Sequence, residues 1–240
     1  MNIAIIGYGV VGQALGSFYS EHNVWWYDKE TRSSAETPDY VDIAFICVNV
    51  DETSLDNLFT AIELADSLKP KYIVVKTTLA VSILNSLRSD IIVMPEFLRE
   101  ATAAEDYRSA TTFIHSGDDT FDAFWKQLHP SNTIRLSRHE CVLVKLFRNA
   151  FLASKVTLFN AFKEISDAAD ADWEAIVEAV TVDDRIGHSH TQVPGPDGLS
   201  GFGGKCFPKD LAFLISAAEQ TSAHNLFEAV QLANRGYRRE

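Results

Sequence analysis

Cysteine is scarce in this chain: Cys47, Cys141 and Cys206 are far apart and odd in number. That excludes a disulfide framework and points to a reducing, cytoplasmic setting. Cations are short as well. Against 33 Asp and Glu stand 21 Lys and Arg, for a net charge of −12, so nucleic acid is not an expected partner. No apolar run approaches a membrane span, so no membrane contact is expected. No basic stretch precedes the first apolar segment, so no secretory signal is expected. His188 and His190 lack an acidic or cysteine partner at metal-site spacing, and no metal is expected. Internal repeats and low-complexity tracts are also missing. What remains is 46% hydrophobic and 22% charged, with mean hydropathy near zero. That is an ordinary globular composition, large enough for one big domain or two smaller ones.

Apolar, β-branched runs at Asn2–Ile6, Val24–Tyr27, Val41–Val48, Tyr72–Thr78, Ile91–Met94, Thr111–His115 and Thr133–Leu136 read as strands. Helical segments lie between several of them, notably from Val10 to about His22, Leu55–Leu68 and Thr120–His129. The alternation implies an α/β fold, a Rossmann-like doubly wound, mostly parallel sheet. From Arg138 the texture changes. His139 to Ala171 holds neither Gly nor Pro and reads as one long helix, on the order of 45 Å. Its length exceeds the width of a small domain, so it links domains or forms a dimer surface. Trp173–Val180, Pro208–Gln220 and Ala223–Arg239 read as further helices, and 187–204 as a loop rich in Gly, Pro and His. The expected domains are therefore a dinucleotide-binding α/β domain over 1–138 and an all-helical domain over 139–240.

Gly7-Tyr8-Gly9-Val10-Val11-Gly12 sits between the first strand and the first helix, and Asp28 ends the second strand. The glycines allow a tight turn, close approach of a pyrophosphate and close helix packing. The helix N-terminus faces the phosphates, and Asp28 accepts from a ribose diol. The expected cofactor is NAD, because the Asp28 carboxylate repels the 2′-phosphate of NADP.

At the other end, Gly201-Phe202-Gly203-Gly204-Lys205-Cys206-Phe207-Pro208-Lys209-Asp210 places a cysteine just before a helix. Pro208 suits the first helical position and Phe207 the cap. Helix dipole and the flanking Lys205 and Lys209 favour thiolate over thiol at Cys206, as a nucleophile requires. A tight turn around a buried structural cysteine is the alternative. Pro95-Glu96-Phe97-Leu98-Arg99-Glu100 follows a strand, where ligand loops of open α/β sheets lie; a merely solvated loop is the commoner fate of such charges. Lys145 and Asn149 are one helical turn apart. Lys145 is bracketed by Leu143, Val144, Leu146 and Phe147, so its head is expected to enter a cleft.

The stretches Pro95–Glu100, Lys145–Ala153, Asp184–Gly187 and Gly201–Asp210, with the N-terminal glycine motif, resemble in order and spacing the UDP-glucose/GDP-mannose dehydrogenase family. The likeness covers almost the whole chain. It implies a cytoplasmic, homodimeric oxidoreductase that takes the C6 hydroxyl of a nucleotide sugar, foremost UDP-glucose, to a carboxylate with two NAD⁺ in succession. Cys206 then captures the C6 aldehyde as a thiohemiacetal and carries a thioester. Lys145 and Asn149 stabilise the charged oxygen, Asp210 orients water or relays protons, and Glu100 acts as acid–base. Cofactor contacts are implied at Gly7, Tyr8, Gly9, Val10, Val11, Gly12, Asp28, Val48, Thr78, Glu100 and Lys209. Substrate contacts are implied at Glu96, Phe97, Leu98, Arg99, Lys145, Asn149, Phe202 and Gly203. Arg185 matches an arginine that enters the neighbouring subunit's sugar site.

The chain departs from the family pattern in places. Val50-Asp51 stands where the family has Thr-Pro, Leu146 replaces a tyrosine, and the Pro194–Ser200 loop is longer than usual. The family continues into a C-terminal nucleotide-gripping domain that is not expected within residues 1–240. Two other functions stay open: a single-step β-hydroxyacid-type dehydrogenase, and a non-catalytic remnant of the family.

Overall fold

The computed structural model describes residues 1–33, 36–50 and 55–238. Asp51 therefore lies outside the described residues. The chain divides into two compact units, Met1–Lys145 and Leu146–Glu240.

The first unit is built on strands β1 (Asn2–Ile6), β2 (Asn23–Asp28), β3 (Arg32–Ser33), β4 (Ile43–Ile46), β5 (Tyr72–Val75) and β6 (Ile92–Val93). They form one sheet in the order β3-β2-β1-β4-β5-β6, parallel except for the short antiparallel edge β3. β1 and β4 are near-continuous apolar runs because both faces are covered; Ile3, Ile5, Ile43 and Phe45 have no exposed surface. In register, Ile3 lies beside Ile43 and Ile5 beside Phe45. Helices α1 (Val10–Phe18), α2 (Leu55–Ser67), α3 (Ala103–Ser109) and α4 (Asp119–Leu128) accompany the sheet. One core joins β1, β4, β5 and α1 to Tyr107 of α3 and to Phe121 and Trp125 of α4. The Tyr19 and Tyr107 hydroxyls share a buried 2.9 Å hydrogen bond.

Two findings differ from the sequence reading. The segments near 111–115 and 133–136 pair with each other as a separate parallel ribbon of β7 (Thr112–His115) and β8 (Asn132–Arg135). The Ser116 N–H donates to the Val93 carbonyl at 3.0 Å and Ser116 Oγ accepts the Val93 N–H at 2.9 Å, linking its end to β6. The two-residue β3 was not foreseen, being shorter than any alternation can register.

The long helix α5 is Arg138–Ala168, and the division between units falls within it. It starts on a capping box: Glu140 Oε2 accepts the Ser137 N–H (2.7 Å), and Ser137 Oγ accepts the Glu140 N–H (3.3 Å). It stops before Ala171 because Asp170 turns left-handed, φ 52°, and the Ala171 N–H closes back on the Ser166 carbonyl at 3.0 Å. Asp172 then caps α6 (Trp173–Thr181) by accepting from the Glu174 and Ala175 amides. Helices α7 (Phe207–Ala217) and α8 (Ala223–Tyr237) complete the second unit. Among the described residues no helix is long and apolar enough to cross a membrane.

Candidate active site

In the first unit, the turn after β1 has the geometry of a phosphate cradle. Gly7 takes φ +93°, and a Cβ there would press within 2.6 Å of the Cys47 carbonyl carbon. A Cβ on Gly12 would strike the Gly7 carbonyl, whereas Gly9 faces open space. Thus the first and third glycines fit the chain to itself, and the second leaves room at the start of α1. Gly9 caps that helix without a side-chain acceptor, so its first amides are left for a ligand. Val10 is exposed and Val11 half-buried; the Tyr8 ring stacks on Trp26 at 4.3 Å. Asp28 Oδ1 accepts the Glu30 N–H and Oδ2 the Tyr8 N–H, each at 2.9 Å. These bonds hold its carboxyl below the usual range, so Asp28 is ionised at the second strand's end. Val48 and Thr78 are both half-buried, and Thr77 Oγ1 donates to the Val48 carbonyl at 2.7 Å.

Also in this unit, Lys145 is buried, and its Nζ donates to the Glu96 carbonyl (2.7 Å) and to Glu96 Oε1 (3.0 Å). The Phe97 ring centre is 5.5 Å from the same ammonium. The other Glu96 oxygen accepts the Leu98 N–H at 2.7 Å, so the Pro95–Leu98 loop folds around its own carboxylate. Arg99 turns outward and is held by Asp106, 2.6 Å away. Glu100 opens a short 3₁₀ turn and is exposed. Hence of the two carboxylates four residues apart, only Glu96 touches Lys145. Two residues escaped sequence reasoning. Asp106 anchors Arg99. Lys76 is buried beside the Tyr107 and Phe113 rings, and burial pushes its amine down to about 8. The clue was a lysine directly after the fully apolar β5. Lys76, Glu96 and Phe97 line one cavity of about 80 Å³.

In the second unit, α7 begins one residue earlier than expected. Cys206 itself is the cap, Phe207 the first helical residue and Pro208 the second; proline is tolerated there because that amide has no intrahelical partner. Cys206 is exposed, which removes the alternative of a buried structural cysteine. Asp210, one turn along, has no exposed surface. Its Oδ2 accepts from Asn149 Nδ2 at 2.5 Å. Its Oδ1 lacks a hydrogen bond among the described residues and has the Lys209 ammonium 3.3 Å away. Phe202 is buried, and both its peptide groups bond to Asn234. The side of Gly203 where a Cβ would stand is filled by Arg238. Arg185 is exposed and paired with Asp183 at 2.5 Å. The turn after it is fixed by Lys155, which donates to the Ile186 and Gly187 carbonyls at 2.7 and 2.9 Å.

Residues 139–236 match the central domain of the UDP-glucose/GDP-mannose dehydrogenase family. The chain is 33% identical over 138 residues to a UDP-glucose 6-dehydrogenase of Haloferax volcanii, covering 54% of this chain and 31% of that relative. It is 32% identical over 171 residues to one of Drosophila melanogaster, covering 62% and 35%. The matches thus span about a third of these relatives' length. The fold resembles a UDP-glucose dehydrogenase from Pyrobaculum islandicum, with a TM-score of 0.81 at 22% identity over 98% of this chain and 68% of that one. It also resembles a UDP-D-ManNAc dehydrogenase from Pyrococcus horikoshii, with a TM-score of 0.77 at 18% identity, covering 98% and 68%. Residues 139–236 thus carry the likeness to the central domain of the UDP-glucose/GDP-mannose dehydrogenase family.

Proposed function

We propose that this chain carries an NAD-dependent nucleotide-sugar 6-dehydrogenase activity that converts UDP-glucose to UDP-glucuronate. The observation that carries this reading is Cys206, exposed at the cap of α7 with the buried Asn149–Asp210 pair one turn on. In it, residues 1–138 form the NAD-binding domain and residues 139–240 the central, dimer-forming domain. The dispersed cysteines fit a cytoplasmic enzyme. The turn over Gly7–Gly12 would hold the pyrophosphate, and Asp28 the adenosine ribose, with Val48, Thr78 and Lys209 as further contacts. Bound NAD supplies the hydride acceptor for the two oxidations.

The residues of the chain do the rest. The Cys206 thiolate adds to the C6 aldehyde; an S–C bond forms and the carbonyl oxygen takes the charge. Lys145 and Asn149 donate to that oxygen. After the second oxidation the thioester carbonyl is attacked by water, the S–C bond breaks, and the thiolate leaves with the sugar acid released. Asp210 orients the water. Glu100 holds the acid–base role that the resemblance implies; Glu96, the carboxylate in contact with Lys145, is the competing candidate. Sugar contacts fall to Glu96–Arg99, Phe202 and Gly203.

A homodimer is part of the same reading. Phe147, Phe151, Leu158, Phe162 and Ile165 of α5 are all exposed at helical spacing, an apolar stripe that calls for a partner. Arg185 then serves the partner's site.

A panel of UDP- and GDP-sugars with NAD⁺ tests the proposal. Two NADH per sugar acid are expected. One NADH per substrate would instead mark a single-step dehydrogenase, and no turnover with any sugar a non-catalytic member.

A further inference from the structure

The loop that delivers Cys206 is gripped through its main chain by side chains of the second unit. Asn234, buried on α8, donates Nδ2 to the Phe202 carbonyl (2.9 Å) and accepts the Phe202 N–H at Oδ1 (2.7 Å). Asn160 on α5 accepts the Gly201 N–H at Oδ1 (2.9 Å). Arg238, directly after α8, forks. Its Nε donates to the same Phe202 carbonyl at 3.2 Å, and its Nη2 to Asp197 Oδ2 at 2.5 Å.

The glycines of the loop make room for this grip. Gly201 takes φ +73°, and a Cβ there would come within 2.5 Å of Asn234 Oδ1; one on Gly203 would overlap the Arg238 guanidinium. Beyond Cys206 the chain is pinned again. The Asp210 N–H donates to the Cys206 carbonyl at 2.8 Å, and the Asp210 carboxylate is held by Asn149. Cys206 therefore lies on a short span fastened at Phe202 and at Asp210. A nucleophile misplaced by about 1 Å loses on the order of a hundredfold in rate, so what fastens the span bears on the chemistry as well as on folding.

We propose that Asn234, Asn160 and Arg238 are positioning residues for Cys206, and that the Arg238 fork couples the Pro194–Ser200 loop, through Asp197, to the cysteine. This rests on the reading of Cys206 as the nucleophile. The grip acts on main-chain groups, so it fixes the path of the loop whatever the neighbouring side chains. Release of Phe202 loosens the approach to Cys206 and so the orientation of its side chain at the α7 N-terminus, whose amides favour its thiolate.

The test needs no turnover. In the full chain, alkylation of Cys206 by iodoacetamide, located by peptide mass spectrometry, is followed from about pH 6 to about pH 10. Arg238→Met and Asn234→Asp are expected to slow alkylation at neutral pH about fivefold, as loss of a net hydrogen bond implies, and to move the pH midpoint upward. Arg238→Lys keeps a cation for Asp197 but not the fork, so it is expected to keep the melting temperature and still slow alkylation. Arg235→Ala, which among the described residues loses a bond to Gln231, leaves the profile unchanged.

Wild-type rate and midpoint in folded Arg238→Met and Asn234→Asp overturn the proposal, as does full rescue by Arg238→Lys. If Asn234→Asp does not fold, the two Arg238 variants decide alone. Acid formation by Cys206→Ala would defeat the nucleophile reading while leaving the alkylation result standing, so the two failures are distinguishable.

Discussion

At the residue scale, the decisive contrast is between groups whose partners are fixed and groups left to a ligand. Cys206 is exposed at a helix cap, whereas Cys47 and Cys141 are held inert, burial pushing each thiol up to about 12. Cys206→Ala is therefore expected to abolish acid formation while NAD⁺ binding, measured by calorimetry, is retained. Full turnover by that variant would end the mechanism. The two carboxylates of the Pro95–Glu100 loop also differ in kind. Glu96 pairs with a buried lysine, and Glu100 is exposed. With Glu100 as the acid–base, Glu100→Gln is expected to lower kcat by roughly a hundredfold, within the usual worth of acid–base catalysis, and Glu96→Gln by less. The reverse order would move the role to Glu96, the carboxylate in contact with Lys145. At Asp28, an ionised carboxylate predicts a preference for NAD⁺ over NADP⁺ of about tenfold in kcat/KM, or roughly 1.4 kcal/mol. Asp28→Ala should narrow it.

At the element scale, the start of α5 is set by four residues. In Ser137-Arg138-His139-Glu140 two side chains satisfy two backbone donors reciprocally, and Arg138 adds bonds to the Leu84, Leu87 and Arg88 carbonyls. Ser137→Ala is expected to cost about 1 kcal/mol, the usual worth of an N-cap, read as a lower urea midpoint at unchanged slope. This S-x-x-E signal stood in plain view, and it places the helix start at Arg138 rather than His139. The Cys206 cap was harder to place. Pro208 is allowed at either of the first two helical positions because neither amide has an intrahelical acceptor, so proline alone does not choose the cap.

At the scale of the whole molecule, titration and association are the accessible measurements. His129 lies in the aromatic core, stacked between Phe18 and Trp125, with neither ring nitrogen hydrogen-bonded among the described residues. Burial lowers its pKa from 6.5 to about 4. The unfolded chain then binds a proton that the folded chain refuses. Stability is full above about pH 6.5, falls as pH drops, and has lost this contribution below about pH 4, by at most roughly 3 kcal/mol. Burial lowers His115 in the same direction. His129→Phe should flatten the slope of unfolding free energy against pH between those values. An unchanged slope would show that other groups set the acid limit. For association, the exposed phenylalanines on α5 predict a dimer in sedimentation at micromolar concentration, and Phe151→Glu, at a position 67% exposed in the single chain, should shift it to monomer with the helical circular dichroism retained and the melting temperature lowered by the lost association.

Local pattern alone determined the strands β1, β2, β4 and β5, the glycine turn after β1, the long helix and the cysteine motif. Each depends on short-range chemistry: β-branched runs buried on both faces, glycines at a tight turn, absence of breakers, a proline at a helix start. What only the tertiary structure decided is which partner each charged or polar group found. Lys145 met Glu96 across 49 residues of sequence, Asn149 met Asp210 across 61, and Phe202 met Asn234 across 32. It also decided that β7 and β8 pair with each other, since strand pairing is non-local and a segment carries no mark of its neighbour. Periodicity tells a residue's face, but desolvation at that face selects its partner, because a buried polar group without one costs about 1–3 kcal/mol. That selection is made only when distant segments are brought together by folding.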